Sequence, residues 1–310
     1  MINRRQVVKF GAGMLAAQNS LLAATEKGMA PADHLSLIQR PIPGSGELLP
    51  VIGMGTSRTF DTDDDPETIA QLKQVMSTFF GSGGRIIDSS PMYGNAESRV
   101  GDVLRAMDNA PALFSATKVW TTGREQGIAQ MNESARRMNV DRFDLIAVHN
   151  LQDWQTHLET LKQWKAEGKV RYIGITTSHG RFHDALLEIM RKQPLDFVQF
   201  SYNIADRAAE KALLPLAHDR GIATMINRPY QRGSLFGKSR GKALPKIAGA
   251  LDCSSWGQFY LKYILGHPAV TCIIPATSSA KHMADNMKAG FGRLPDSSQR
   301  AEMLRIFQAL

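Results

Sequence analysis

Short apolar runs recur along this chain, and between them lie longer stretches in which apolar residues return every three or four positions. The runs fall at residues 51–56, 85–88, 113–118, 143–149, 170–176, 197–202, 222–227 and 270–274. They do not alternate apolar with polar as a strand with one wet face would, so each reads as a strand buried on both sides. The intervening stretches predict helices at 96–107, 125–138, 154–167, 182–192 and 208–220, and another opening at Asp65-Pro66-Glu67 with an aspartate cap and proline at the first helical position. Gly168 and Gly221 stop two of them. Before the first run, residues 37–40 and 47–49 flank the turn Pro43-Gly44-Ser45-Gly46 and predict a β-hairpin. After the last, residues 298–308 predict an extra helix. Eight strand-helix units in sequence predict a (β/α)8 TIM barrel preceded by a hairpin, with a doubly wound open sheet as the second choice.

The strand ends carry the candidate chemistry. The second run ends in Asp88, the third in Lys118 and the fourth in His149, thirty and thirty-one residues apart. One such spacing is one strand-helix unit, so three ionisable groups arrive at one barrel mouth. Tyr93 follows Asp88 by five residues across a Ser-Ser-Pro turn. A lysine closing an apolar run is, alone, a solvated strand end, and a lone histidine is structural. Three in phase on neighbouring strands are a site.

An acid, a phenol and an ammonium at one mouth are the parts of a tuned proton donor. A free phenol has a pKa of about 10 and is a sluggish acid at neutral pH. An adjacent ammonium held by an aspartate favours phenolate and brings that acidity toward a useful range.

Asp88-Ser89-Ser90-Pro91-Met92-Tyr93-Gly94, Gly53-Met54-Gly55-Thr56, Lys118 after Ser115-Ala116-Thr117 and His149 before Asn150 together resemble the Asp-Tyr-Lys-His tetrad of the aldo-keto reductases. The resemblance runs from the hairpin through the eighth strand and the helix after it. It implies an NADPH-dependent barrel reducing an aldehyde or ketone, with Tyr93 the general acid, Lys118 and Asp88 its tuning pair and His149 the orienter or relay. It also implies cofactor contacts from Gly55, Thr56, Thr176, Gln199, Asn227, Arg228, Thr277, His282 and Asn286. Several of these depart from the family pattern. Thr177 stands where an asparagine is usual, Asn227 where a tyrosine often stacks on nicotinamide, Ala276 for a lysine and His282 for the arginine that takes a 2′-phosphate. A histidine does not replace a bidentate arginine without loss. NADPH is therefore the first expectation and NADH the second. Phe60, Trp120 and Tyr230 are placed to line an apolar substrate pocket.

Composition changes the picture in two places. The net charge of +8 drops to +5 without residues 1–28, which hold Arg4, Arg5, Lys9 and Lys27 against Glu26. That suits a phosphate-bearing cofactor and lacks the dense basic stripe of a nucleic-acid binder. The first thirty residues themselves read as an address: Asn3-Arg4-Arg5-Gln6-Val7-Val8-Lys9-Phe10, then a modest apolar stretch with small residues, resembles a twin-arginine export signal. The expected partners are thus a small carbonyl substrate and the twin-arginine export machinery, and the expected location is the periplasm. Residues 35–310 form the barrel. Gly11-Ala12-Gly13-Met14-Leu15-Ala16 mimics a dinucleotide fingerprint, but inside an export signal it reads as composition and not as a cofactor site.

Cys253 and Cys272 read as two packing thiols, with a disulfide the alternative in an exported protein. No Cys/His cluster has metal-ligand spacing, which leaves a metal-dependent hydrolase without ligands. Residues 228–250 are a long basic loop with no acid, a lid or substrate wall against a solvated loop. A cofactor-binding regulatory module of the same fold, with little turnover, is the competing function.

Overall fold

The computed structural model describes residues 36–107, 112–178 and 180–310; the proposed export segment and its glycine decoy lie outside the described residues. The hairpin comes first, β1 (Gln39–Pro41) pairing antiparallel with β2 (Leu48–Pro50). The repeating units follow: β3 (Met54–Gly55) and α1 (Pro66–Gly81), β4 (Ile86–Asp88) and α2 (Ala96–Arg105), β5 (Phe114–Val119) and α3 (Arg124–Met138). Next are β6 (Phe143–His149) and α4 (Trp154–Ala166), β7 (Val170–Thr176) and α5 (His183–Lys192), β8 (Phe197–Ser201) and α6 (Leu213–Asp219). β9 (Ala223–Asn227) leads into the short helices α7 (Leu235–Ser239) and α8 (Lys246–Ala250), then α9 (Trp256–Leu265). β10 (Cys272–Ile273), α10 (Ala280–Lys288) and α11 (Ser297–Gln308) complete the order.

Strands β3 to β10 pair in sequence order, all parallel. Bridges between Ile52 and Ile273 and between Gly55 and Ala276 bring the first barrel strand onto the last. Gly55 is what permits this. Its N–H donates to Pro275 O at 3.1 Å, and a Cβ there would lie 2.9 Å from Ile274 O. The expected (β/α)8 barrel is the observed one.

Period-two alternation explains how the interior fills. Ile86, Phe114, Leu145, Tyr172, Phe197, Ala223 and Cys272 pack together inside one end, capped by Ile42 and Leu49 of the hairpin. Two residues further along each strand, and two further again, the same inward column reaches Asp88, Lys118, His149, Thr176, Gln199 and Asn227. Helices α1 to α5 cover the outside with the apolar faces their patterns predict. Asp65 caps α1, its carboxylate accepting the Thr68 N–H at 3.0 Å.

Three local expectations change. The helix expected over 208–220 is a 3-10 turn, Ala208–Lys211, followed by α6. Pro215 is the reason, because its ring excludes a helical carbonyl at Lys211 and it offers no N–H to bond one. The loop 228–250 contains α7 and α8 and packs Leu235 and Ile247 inward while its cationic side chains stay mostly exposed. Finally, α9 has no amphipathic rhythm to read: every residue from Gly257 to Leu265 is buried. Ser255 caps it, and the Lys262 ammonium at its far end donates to the carbonyls of Leu251, Phe291 and Arg293.

Candidate active site

The inward column ends in charge. Lys118 is fully buried, and its Nζ donates to Asp88 Oδ2 and to Ser89 O, both at 2.7 Å. Asp88 is 3% exposed, and its other oxygen accepts from Gln199 Nε2 at 3.1 Å, across the barrel. One carboxylate thus ties β4 to β5 and to β8. The Lys118 ammonium lies 5.2 Å from the centre of the Tyr93 ring. The His149 ring meets Tyr93 edge-on, with centroids 5.7 Å apart. The four groups expected together are together.

Tyr93 gets there through the turn after β4. Ser89 N–H bonds to Ala116 O, and the chain then reverses so that Tyr93 N–H reaches Ser90 O at 2.9 Å. Thr56 fastens the turn from the neighbouring strand, its hydroxyl bonding to Asp88 O at 3.1 Å and Ser89 Oγ at 2.9 Å. Ser90 was not singled out in the sequence, yet its Oγ sits 2.9 Å from His149 Nδ1. That oxygen also accepts the Met92 N–H at 3.2 Å, and the tautomer in which Ser90 Oγ donates to Nδ1 carries the imidazole proton on Nε2.

Protonation follows from burial and charge. Burial removes the His149 imidazolium's hydration and the Lys118 charge opposes it further, so its pKa falls to about 2 and it is neutral. Burial pushes the Tyr93 phenol above its usual range; Lys118 pulls the other way and does not win. Burial also disfavours the Lys118 ammonium, but Asp88 and Tyr93 outweigh it and leave its pKa raised. The lysine therefore moderates an acidity that burial sets, and the phenol holds its proton at neutral pH.

The remaining expected residues spread more widely. Thr176 Oγ1 donates to Gln199 Oε1 at 3.0 Å, and Asn227 Nδ2 donates to Thr177 O at 3.0 Å, a cluster beside the tetrad on β7, β8 and β9. Arg228 follows β9 with a left-handed backbone, φ 51°, and its carbonyl accepts from Asn203 Nδ2. Thr277 lies just before α10, and His282 and Asn286 lie on it, where Ser279 Oγ caps the His282 N–H at 3.4 Å and the His282 side chain is exposed.

Of the three aromatic residues, Trp120 is at the mouth, 38% exposed, with its ring 6.5 Å from His149. Phe60 is placed in the core instead, because the turn that bonds its N–H to Thr56 O folds it inward. Tyr230 turns toward α10, where its hydroxyl donates to Asn286 Oδ1 at 2.7 Å and its ring packs on Phe236. Met92 takes a place no motif marked. It is 45% exposed, and its sulfur lies 4.0 Å from Asn150 Nδ2 on the loop after β6.

A nicotinamide dinucleotide can be tested against these residues. Two buried polar atoms near the tetrad, Thr177 Oγ1 and Asn227 Oδ1, have no hydrogen-bond partner. Native interiors rarely leave such atoms unmatched unless a ligand or water completes them. The donor set at this end fits a group with its own polar substituent.

The sequence profile of the Aldo/keto reductase family matches residues 51–302. Methylglyoxal reductase YeaE of Escherichia coli (strain K12) is 26% identical over 256 residues, covering 80% of this chain and 88% of that protein. Glyoxal reductase of Bacillus subtilis (strain 168) is 26% identical over 252 residues, covering 78% and 83%. A crystal structure of an aldo-keto reductase from Klebsiella pneumoniae in complex with NADPH superposes with a TM-score of 0.71 at 22% identity, over 87% of this chain and 96% of that one.

Proposed function

Because the chain belongs to the aldo/keto reductase family, we propose that it is an NAD(P)H-dependent oxidoreductase that reduces a small aldehyde or ketone to its alcohol, with Tyr93 as the proton donor. The observation that carries this reading is the buried Lys118 ammonium, 2.7 Å from Asp88 and 5.2 Å from the centre of the Tyr93 ring. A fully buried cation beside a phenol is costly to build, and the arrangement suits a phenol that must pass through a charged state.

When bound, the reduced nicotinamide supplies the hydride. Negative charge grows on the carbonyl oxygen, and the Tyr93 O–H proton goes to that oxygen, forming the alcohol. The phenolate left behind faces Lys118, whose charge stabilises it until water returns a proton. Asp88 keeps the ammonium from swinging toward solvent. Neutral His149, protonated at Nε2, can donate a hydrogen bond to the same oxygen and fix its direction without adding a charge. Trp120 gives the oxygen's neighbourhood an apolar side that limits water. Oxidation of an alcohol uses the same groups in reverse.

NADPH is the proposed cofactor and NADH the alternative, since His282 supplies no guanidinium fork. The names of the two bacterial reductases place glyoxal and methylglyoxal first in a substrate panel. Nicotinamide absorbance should fall when purified protein, NADPH and such a carbonyl are mixed. Tyr93→Phe should lower the rate by about 100- to 10,000-fold while cofactor binding stays within about twofold. Equal rates in the two proteins would refute the role given to Tyr93.

We also propose that residues 1–30 direct export to the periplasm through the twin-arginine route. A pathway that carries folded proteins suits a barrel that must travel with its cofactor. Arg4-Arg5 replaced by Lys-Lys should leave the protein in the cytoplasm on fractionation, and undiminished export would refute this route.

A further inference from the structure

A second buried carboxylate lies behind the tetrad and takes no part in the chemistry above. Glu97 stands in the first turn of α2, four residues after Tyr93, and is 1% exposed. Its Oε1 accepts from Thr117 Oγ1 at 2.5 Å and its Oε2 from Ser134 Oγ at 3.0 Å. Thr117 precedes Lys118 on β5, and alternation along the strand turns it out to the helices while Lys118 turns in to the site. Ser134 lies on α3. Burial raises the Glu97 pKa, and the two hydroxyls, then Arg137 and Lys118, pull it down. Its charge in turn adds to those of Asp88 and Tyr93 in holding the proton on Lys118. A leucine would fill this space without a polar group to satisfy. What the carboxylate adds is direction, because it fixes the helix to one hydroxyl on each of two neighbouring elements.

The two ties are unequal. Toward α3 the helix is seated a second time by Gly101, where a Cβ would come 1.9 Å from Arg137 O. Toward β5 the first turn is tied through Thr117. Tyr93 is joined to that same turn, since its carbonyl accepts the Ala96 N–H at 3.0 Å. The phenol is thus carried by the start of α2 and the ammonium by β5, and the Glu97–Thr117 bond links the two supports. We infer that Glu97 is a positioning residue for the proton donor, holding the start of α2 on the strand of Lys118 so that the Tyr93 phenol keeps its place beside the ammonium. The inference rests on the oxidoreductase reading above and adds what sets the separation of its two central groups. Asp88 orders the ammonium from within the barrel, and Glu97 orders the phenol from the helix layer.

Two conservative variants of the full chain separate positioning from packing. Thr117→Val cuts the tie to β5 and Ser134→Ala the tie to α3, each taking one hydroxyl from the same carboxylate. Both should lower the urea midpoint to a similar extent. Thr117→Val should lower kcat with NADPH and methylglyoxal by about tenfold or more, because small misplacement of reacting groups can cost about 100-fold, while KM for NADPH stays within about twofold. Ser134→Ala should change kcat by less than about twofold, since Gly101 still seats α2 on α3. A double-mutant cycle with Lys118→Met gives the second readout. Once the ammonium is gone its distance from the phenol no longer matters, so in that background Thr117→Val should cost less than about twofold. An unchanged kcat in Thr117→Val, an equal loss in Ser134→Ala, or a Thr117→Val loss that is the same with and without Lys118 would overturn the inference while wild-type turnover stands. A wild-type protein that reduces no carbonyl of the panel with NADPH or NADH would overturn the oxidoreductase reading, and the inference with it.

Discussion

The two ends of the barrel interior are built from the same strands and the same inward alternation, yet they obey different rules. At the hairpin end the column is apolar and complete. Phe114, Tyr172 and Phe197 pack ring against ring with centroids 5.7–6.0 Å apart. The one phenol there, Tyr172, bonds at 2.8 Å to both Glu47 Oε2 and Ser45 Oγ of the hairpin, donating its proton to the carboxylate. At the other end the same columns deliver a buried ion pair, a neutral imidazole and two polar atoms without partners. Backbone strain divides the same way. Among the described residues, seven of the nine non-glycine positions with positive φ are in the loops that leave β3, β6 and β9: Arg58, Asn150, Leu151, Asp153, Arg228, Gln231 and Arg232. One end is arranged for stability and the other carries the cost.

The largest effects come from breaking the polar end at its ion pair. Lys118→Met removes the charge that stabilises the Tyr93 phenolate and strands the Asp88 carboxylate. We expect a rate loss of at least about 100-fold and a stability loss of about 3–5 kcal/mol, read by urea unfolding. Asp88→Leu combined with Lys118→Met should recover most of that stability and none of the rate. If stability stays as low in the double variant, the pair is not the source of the cost.

At the apolar end the expected pattern is inverted. Phe114→Ala should lower stability by about 3–5 kcal/mol through lost burial and a cavity, while the rate per folded molecule changes by less than about twofold. A large fall in kcat would mean that the two ends are mechanically coupled and that the hairpin end is more than a plug.

The contrast also predicts a pH dependence. His149 is neutral in the folded protein, its pKa lowered to about 2, whereas in the unfolded chain it takes a proton near pH 6.5. The unfolded state therefore binds more protons between these values, and His149 makes the fold progressively less stable as pH falls below about 6.5. His149→Gln should flatten that part of a stability–pH curve. Tyr93, with its pKa raised, should keep its proton through neutral pH, so the reduction rate should show no inflection near 6.5 and fall only in strong alkali. An inflection at the ordinary histidine value would contradict the buried neutral imidazole.

The same division governs what the sequence reveals. Asp88, Lys118 and His149 were legible because each ends an apolar run, and strand adjacency turns equal spacing into proximity. Gln199 and Asn227 follow from the same alternation once the strands are known. Residues on loops do not obey that rule. Phe60 and Tyr230 are aromatic residues near the mouth in sequence, yet one tight turn sends Phe60 into the core and the Asn286 amide draws Tyr230 toward α10. Ser90 and Met92 matter through the turn that precedes Tyr93, whose fold no period encodes. Helix α9 was illegible for the opposite reason, since a helix buried all round loses the rhythm by which helices are recognised.

The smallest prediction tests the strain itself. Arg58 holds φ 66° on the exposed loop after β3, a region that costs a non-glycine residue about 1–2 kcal/mol. Glycine removes that cost but gives the unfolded chain more freedom, which takes back about 0.5–1 kcal/mol. Arg58→Gly should therefore leave stability unchanged or raise it by up to about 1 kcal/mol in urea unfolding. The same change in α1, such as Gln74→Gly, should lower it by about 1 kcal/mol, because there glycine relieves nothing. If both substitutions destabilise equally, the left-handed loop at Arg58 is no reservoir of strain, and the polar end owes its cost to its buried charges alone.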